Sequence, residues 1–479
     1  MSASPASGAR SPDAVIVGSG PNGLAAALTL ASAGLAVAVY EGSEISGGGC
    51  ETSELTLPGF HHDLCSSVHP LLAASPFFRE RPSSGITLNA SRIAFAHPLD
   101  GGYAAAVGGS VEETAASLGA DGDAYRRLVG PLVRESEPIL AGVLAPLVRV
   151  PRHPLAMARF GISGVLPATL LARRLNTLSG RALLAGLAAH SMQPLSAPGT
   201  AAFALVLWIL AHTVGWPLVE GGSARIAEAM SAELEAAGGS IRTGHWVSSL
   251  DELPASRATL LDLSARAVAD LLRDRAPSRY LSALRRFRYG PGACKVDWAL
   301  DGPVPWSSEI CRAAPTLHLG GTFEEIARGE AEVAAGRHPQ RPFCIAVQPS
   351  TIDPTRAPPG QHTFYAYCHV PAGSAQDMRE RIEDQIERFA PGFRERVLAH
   401  RTTTATELER HNPNLVGGDL NCGAATLLQT VFRPVPSRDP YRTPDPRVYI
   451  CSASTPPGGG VHGMCGLNAA RSALHDLGL

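Results

Sequence analysis

Residues 14–17 are an apolar run that leads straight into Gly18-Ser19-Gly20-Pro21-Asn22-Gly23. An Ala/Leu-rich stretch over 24–33 follows, Gly34 closes it, and a second apolar run over 35–40 ends on Glu41. The order strand, glycine turn, helix, strand, acid commits this part of the chain to a βαβ unit, because two parallel strands can be joined only through a crossover. Gly18 allows the tight turn, Gly20 lets the backbone approach a pyrophosphate at the helix N-terminus, and Gly23 lets helix and strand pack closely. Glu41 stands 18 residues beyond Gly23, where it can accept hydrogen bonds from the ribose hydroxyls of an adenosine. Its charge repels a 2′-phosphate, which argues against NADP. Gly18, Gly20, Pro21, Asn22, Gly23 and Glu41 are therefore candidate cofactor contacts.

This fingerprint alone does not separate FAD from NAD. Ser46-Gly47-Gly48-Gly49 follows the acid within eight residues, with Cys50 next. FAD enzymes of the glutathione-reductase superfamily carry such a second glycine cluster, which lets the chain pass close to an extended cofactor. At the other end, residues 448–451 read as a strand, Ser454 to Gly463 as a glycine-rich turn, and 468–474 as a helix. That turn can set backbone N–H groups against a flavin edge or ribityl oxygens. Two glycine turns at opposite ends of the chain predict one shared FAD, with Gly48, Gly49, Cys50, Gly459, Gly460 and Val461 as further contacts.

Three stretches carry a family likeness. Val15-Ile16-Val17-Gly18-Ser19-Gly20-Pro21-Asn22-Gly23-Leu24, Leu57-Pro58-Gly59-Phe60-His61-His62-Asp63 and Pro457-Gly458-Gly459-Gly460-Val461-His462-Gly463 resemble the phytoene desaturase/carotenoid isomerase-like FAD-dependent oxidoreductases. More narrowly, the chain resembles their phytoene dehydrogenase-related branch, of the pyridine nucleotide-disulfide oxidoreductase domain-containing protein 2 type. The resemblance implies an α/β fold: a Rossmann-like FAD-binding domain of glutathione-reductase type, with an inserted α+β substrate domain and a helical cap. The FAD domain is then discontinuous, over 13–75, 219–275 and 415–479, and the substrate domain takes 76–218 and 276–414. It also implies that a strand over 240–247 rejoins the FAD domain, with Val247 at its end over the adenine. Two positions depart from relatives. Cys50 stands where amine-oxidase-like members often carry Arg, and Ser452-Ala453-Ser454 stands where many carry an acid.

The bulk numbers narrow the function further. A length of 479 residues suggests two or three domains, and a net charge of −2 lacks the basic surface a nucleic-acid partner needs. The nine cysteines include no C-x-x-C pair, which excludes a redox disulfide and fits free thiols in a cytoplasmic protein. Residues 1–12 have neither a basic start nor an apolar h-region and read as a disordered leader. Of the 41 basic residues only Lys295 is a lysine, which asks whether its site needs an ammonium that can lose a proton or fit a small space.

Between Pro138 and Val219 there is no Asp or Glu, but there are six arginines: Arg149, Arg152, Arg159, Arg173, Arg174 and Arg181. Apolar runs interleave with them, none reaching the ~20 residues of a spanning helix. Three readings stay open: a helical cap over an apolar tunnel, a surface resting peripherally on anionic lipid, or buried helices with solvated arginines at their ends.

A hydride-transferring flavin site needs a positioned carbon, excluded water and sometimes a proton carrier. His462 lies inside the C-terminal glycine turn and is the first candidate, against the simpler reading of a loop histidine bonded to backbone. His62 and His69 could line the cavity, with Asp63 between them as a structural cap. His190, in an Ala/Leu helix, reads as a core histidine. Lys295 could hold a water near the flavin or pair with Asp297, which shares its strand face. No metal-ligand spacing and no second nucleotide fingerprint are present, so electrons are expected to leave to oxygen, a quinone or another acceptor. The expected function is a desaturase, dehydrogenase or redox-assisted isomerase acting on an apolar, isoprenoid- or lipid-like small molecule. Two alternatives are an amine oxidase-like enzyme on a small secondary metabolite and a non-enzymatic prenyl carrier on a scaffold like that of the Rab GDP-dissociation inhibitors.

Overall fold

The computed structural model describes residues 11–81, 85–148 and 150–479. All but the last two residues of the expected 1–12 leader lie outside the described residues, as does Arg149. The N-terminal apolar run forms the strand Ala14–Val17, and all four of its residues are buried. It is the middle strand of a five-stranded sheet in the order Val448–Ile450, Ala258–Leu261, Ala14–Val17, Val37–Tyr40, Ser240–Arg242. Every pairing is parallel, and Ile16 lies between Leu260 and Val39. Helices cover both faces of such a sheet, so its strands read as unbroken apolar runs without alternation.

The helix Pro21–Ser32 starts with Pro at its first position and stops before Gly34, which has φ +86°. It packs on the C-terminal helix Met464–Leu477, where the Gly466 Cα lies so close to Asn22 that a Cβ would sit 1.9 Å from the Asn22 carbonyl oxygen. That helix is longer than the 468–474 read from sequence, because left-handed Gly463 (φ +67°) already turns the chain into it. The strand expected over 240–247 also needs correction. It ends at Arg242; the chain then turns at Gly244 (φ +65°), and His245 N–H bonds the Glu41 carbonyl at 2.7 Å. Val247 reaches the cofactor side on this loop, outside the strand.

A second sheet has seven strands, in the order Val397–Thr403, Gly292–Leu300, His362–Val370, Cys344–Val347, Thr316–Leu319, Ile93–Pro98, Ala104–Gly108. Its strands come from either side of the long helical stretch, and its pairings are antiparallel except where Leu317 meets Ala96. Side chains alternate between its faces. Val296, Trp298, Phe364 and Ala366 turn to one face and join a core with Ile382 and Ile386 of the helix Arg379–Phe389. Lys295, Asp297, Tyr365, Tyr367, Ile345, Val347 and Thr316 occupy the other, by their register. The helices between 111 and 213 build the largest core around Leu183, Leu187 and Trp208.

A buried charge network joins the two sheets. Asp63 accepts from Thr52 Oγ1 (2.7 Å), Ser67 Oγ (2.6 Å) and the Ser223 backbone N–H (2.8 Å), and is ion-paired with Arg356. The side chains of both Asp63 and Arg356 are fully buried. Arg356 lies in the connection between two strands of the larger sheet, and its Nε is also 3.1 Å from Asp353, which accepts from Gly221 N–H at 2.9 Å. The expected structural role of Asp63 is thus wider than a cap. It serves the start of the helix Ala224–Ala236 through Ser223 and holds the substrate-side loop at once. Burial alone would raise the Asp63 carboxyl. The Arg356 guanidinium and the bonds from Ser67 and Ser223 outweigh that, and hold it well below the usual carboxylate range.

Removing one partner of such a pair strands a buried charge. Arg356→Met is expected to cost about 3–5 kcal/mol in denaturant unfolding, well above a typical core substitution; a midpoint within error of the parent would show that the pair does not hold the two halves together.

Candidate cofactor and substrate site

The glycine turns and the larger sheet enclose one cavity of about 890 Å³, within the size range of ligand sites. Gly18, Gly20, Pro21, Asn22, Glu41, Gly48, Gly49, Cys50 and Val247 line one end of it. Gly459, Gly460 and Val461 line the middle, and Ile345, Val347, Tyr365 and Tyr367 of the second sheet form the far wall. Gly23 lies behind the wall: a Cβ there would sit 2.1 Å from the Gly18 carbonyl oxygen, so helix and turn pack without room for a side chain. Glu41 is fixed toward the turn, accepting from Ser19 N–H and Oγ at 2.7 Å each and from Ser43 N–H at 2.9 Å.

Local geometry fits an extended dinucleotide. Gly48 has φ +58°, and a Cβ there would come within 3.1 Å of the Gly20 Cα, so the two glycine segments close on each other across the first end of the cavity. Asn22 Oδ1, at the start of the helix, is buried and has no partner among the described residues, an acceptor left for a donor on a ligand. The second glycine turn borders the same cavity over 400 residues later in the chain. FAD would be held by the first turn and Glu41 at its adenosine end and by Gly459 to Val461 at its flavin end.

One residue at this site was passed over in the sequence. Asp262 follows the strand Ala258–Leu261, lines the cavity, and its Oδ2 accepts from Gly23 N–H at 2.8 Å. The sequence signal for it is an acid inside the apolar run over 259–263. Burial pushes its carboxyl up to about 7, against the pull of the Gly23 bond and helped by the nearby Glu41 charge.

The expected proton carriers fare differently. His462 is buried, its Nδ1 accepts from Met464 N–H at 3.0 Å and its Nε2 lies 3.2 Å from the Gly458 carbonyl. Both nitrogens serve the backbone, and burial lowers its pKa to about 4. It is the lock of the glycine turn, which replaces the flavin-proximal role expected for it. Lys295 lies behind the cavity wall, ion-paired with Asp297, its Nζ 4.5 Å from the centre of the Tyr365 ring. His62 shares that partner, with Nδ1 3.5 Å from Asp297 and Nε2 2.8 Å from Thr56 Oγ1. His69 is also buried behind the wall; burial lowers its pKa to about 4, and its Nδ1 is 3.4 Å from Ser66 Oγ. None of these four lines the cavity, whereas His190 does. His190, read as a core residue, has Nε2 2.9 Å from His318 Nε2, next to Trp216. Burial lowers the pKa of both imidazoles, that of His190 to about 3, so they form a neutral pair in which one ring donates to the other.

All nine cysteines are free, and Cys50 is buried at the cofactor side with its thiol pushed well above its ordinary value by burial. No group of three or more His, Cys, Asp or Glu residues with metal-binding geometry occurs among the described residues.

Comparisons with known proteins agree with this geometry. Residues 16–80 match the NAD(P)-binding Rossmann-like domain family. The chain is 26% identical to the pyridine nucleotide-disulfide oxidoreductase domain-containing protein 2 of Rattus norvegicus, covering 97% of this chain and 94% of that protein. A lycopene-forming phytoene desaturase from Pseudescherichia vulneris is 28% identical over 136 residues, 26% of this chain and 27% of the desaturase. Among solved structures, an oxidoreductase from Methanosarcina mazei superposes with a TM-score of 0.67 at 16% identity, covering 96% of this chain and 99% of that one. The chain is a homologue of the rat protein over nearly its whole length and shares the fold of the archaeal oxidoreductase.

Two predictions test the site. Ionised Asp262 would face the cofactor diphosphate, so FAD is expected to bind the protonated form. With the carboxyl at about 7, affinity should fall about tenfold from pH ~6 to pH ~8, measured by flavin fluorescence quenching. Asp262→Asn should flatten that dependence; an unchanged slope in the variant assigns it elsewhere. Lys295→Met should leave only the His62 imidazole, 3.5 Å away, beside the buried Asp297 carboxylate, lowering stability by about 3–5 kcal/mol. Adding Asp297→Leu should recover most of the loss in a double-mutant cycle. A single variant as stable as the parent would separate Lys295 from this structural role.

Proposed function

We propose that this chain is an FAD-dependent oxidoreductase, a desaturase, dehydrogenase or redox-assisted isomerase, that transfers a hydride between an apolar, isoprenoid- or lipid-like substrate and the flavin. The observation that carries this reading is the continuity of one cavity from the glycine turns to the apolar wall of the second sheet. When bound, the flavin supplies the hydride chemistry itself. The chain supplies position and dryness. Ile345, Val347 and Val68 present hydrocarbon to the substrate and exclude water, while Tyr365 and Tyr367, two residues apart on one strand, form an aromatic shelf suited to a flat unsaturated chain.

The FAD-binding part is of glutathione-reductase type in this reading, and the helices between 111 and 213 cap the substrate end through His190, which follows the helix Leu178–Ala189. A proton released to the protein would meet neutral imidazoles there, because burial holds His190 and His318 uncharged. Electrons leave to oxygen or a quinone, since the sequence has no second nucleotide fingerprint.

The purified protein is expected to be yellow, and its flavin absorbance to bleach anaerobically with polyenes or terpenoids. Mass spectrometry should show a product differing by two hydrogens for a dehydrogenation. Bleaching by amines with no response to polyenes would move the function to the amine oxidases. A colourless protein that cannot be reconstituted with FAD would overturn the enzyme reading.

A further inference from the structure

Sixteen large hydrophobic residues are exposed among the described residues, and they are not scattered. Eight of them fall within 147–178 and three more within 427–432. The two segments meet in space: Gly199 N–H bonds the Val165 carbonyl at 3.0 Å, and a Cβ on Gly199 would lie 3.5 Å from Leu427 Cδ1. Leu155 (83% exposed), Ile162 (70%) and Leu428 (73%) are the most exposed large apolar side chains on the helices that carry Val165 and Leu427 into this meeting. A concentration of exposed hydrocarbon on that scale marks an interaction surface.

The charges that these two segments themselves contribute have one sign. The segment 138–219 has no acid, and neither does 420–438, which supplies the other half of the face. Arg159 and Arg181 are ion-paired to Glu135 and Glu324, which lie outside the acid-free segments. Exposed Arg152 and Arg173 make no ion pair among the described residues, and Arg174 bonds only the Ser163 hydroxyl, at 3.3 Å. An apolar face with unneutralised arginines calls for an anionic partner that is itself apolar. A second copy of this chain fits badly, because a two-fold contact would set arginine against arginine.

The geometry points to an anionic lipid bilayer as the occupant: we propose that this face docks the protein in the membrane interface without crossing it. No single helix is long and apolar enough to span a bilayer, and the apolar helices Pro154–Gly164 and Ala168–Arg174 are bent by 90° where they meet. An in-plane seat, with leucine and isoleucine in the acyl boundary and arginine among the headgroups, suits that bend. The acid-free stretch that carries Leu427 and Leu428 also supplies Leu420 and Cys422 to the cavity lining. Docking goes beyond the redox reading and stands whether or not that reading holds.

The test is flotation of the full-length FAD-loaded protein with phosphatidylcholine vesicles, with and without phosphatidylglycerol, at low and high salt. The protein should float with the anionic vesicles and be released by salt. Two surface variants, Leu155→Asp with Leu428→Asp and Arg173→Glu with Arg174→Glu, should each lower partition about tenfold or more with flavin spectrum and melting temperature unchanged. If one variant pair fails to fold, the other decides. Absence of flotation, flotation that is equal on neutral vesicles, or partition unmoved by a folded variant overturns the proposal. So does a concentration-dependent dimer in light scattering that the same variants abolish. Flavin bleaching by a detergent-solubilised substrate is scored separately, so a failed redox reading would leave the flotation result intact.

Discussion

The buried pair of Asp63 and Arg356 is the constraint on which the arrangement of this molecule depends. The two residues are 293 positions apart, one beside the cofactor segment and the other in a connection of the larger sheet. Ionised groups without solvent are tolerated only where their remaining bonding capacity is filled. Here Thr52, Ser67 and Ser223 donate to Asp63, while Arg356 donates to the His61 carbonyl and has Asp353 as a second charged neighbour. The network therefore ties the segment around Asp63 and the start of the helix at Ser223 to the connection of the larger sheet that carries Arg356. The face that carries Tyr365, Tyr367 and Val347 lines the same cavity as the glycine turns, and this clamp is the buried ionic tie between the two parts of the chain.

Much of the cofactor half was legible because its signals are local. A glycine that must adopt positive φ, a proline at the first helical position and an acid at the end of a strand are each written within a few residues of their effect. The sharing of a strand face by Lys295 and Asp297 was legible for the same reason, since alternation needs no tertiary knowledge. Residues whose role is set by distant partners were not legible. Arg356 looks like any arginine among 40 until the fold brings Asp63 to it. His190 reads as a core residue because its helix is apolar throughout, and only the packing of that helix on the larger sheet turns its ring to the cavity beside His318.

His462 shows a different limit. Its partners, Gly458 and Met464, are close in sequence, yet the turn's conformation decides whether the imidazole faces ligand or backbone. With both nitrogens on the backbone, the ring stiffens the loop that presents Gly459 and Gly460. The wider pattern is consistent. His62 and His69 are also buried behind the wall, so the larger sheet presents Ile345, Val347, Thr316, Tyr365 and Tyr367 to the cavity, with His190 beside them.

The two acids at the adenosine end complete that logic, since their surroundings assign them opposite tasks. Glu41 is wrapped by the Ser19 and Ser43 donors, so its charge is met by the turn itself and its position is fixed for a ribose. Asp262 has one backbone donor, from Gly23, and full burial, and that single bond does not offset the loss of water. A proton on Asp262 converts a repulsive neighbour of a diphosphate into a neutral one without moving an atom of the glycine turn. A diphosphate bound at the glycine turn would therefore be linked to that proton, each favouring the other by the same free energy.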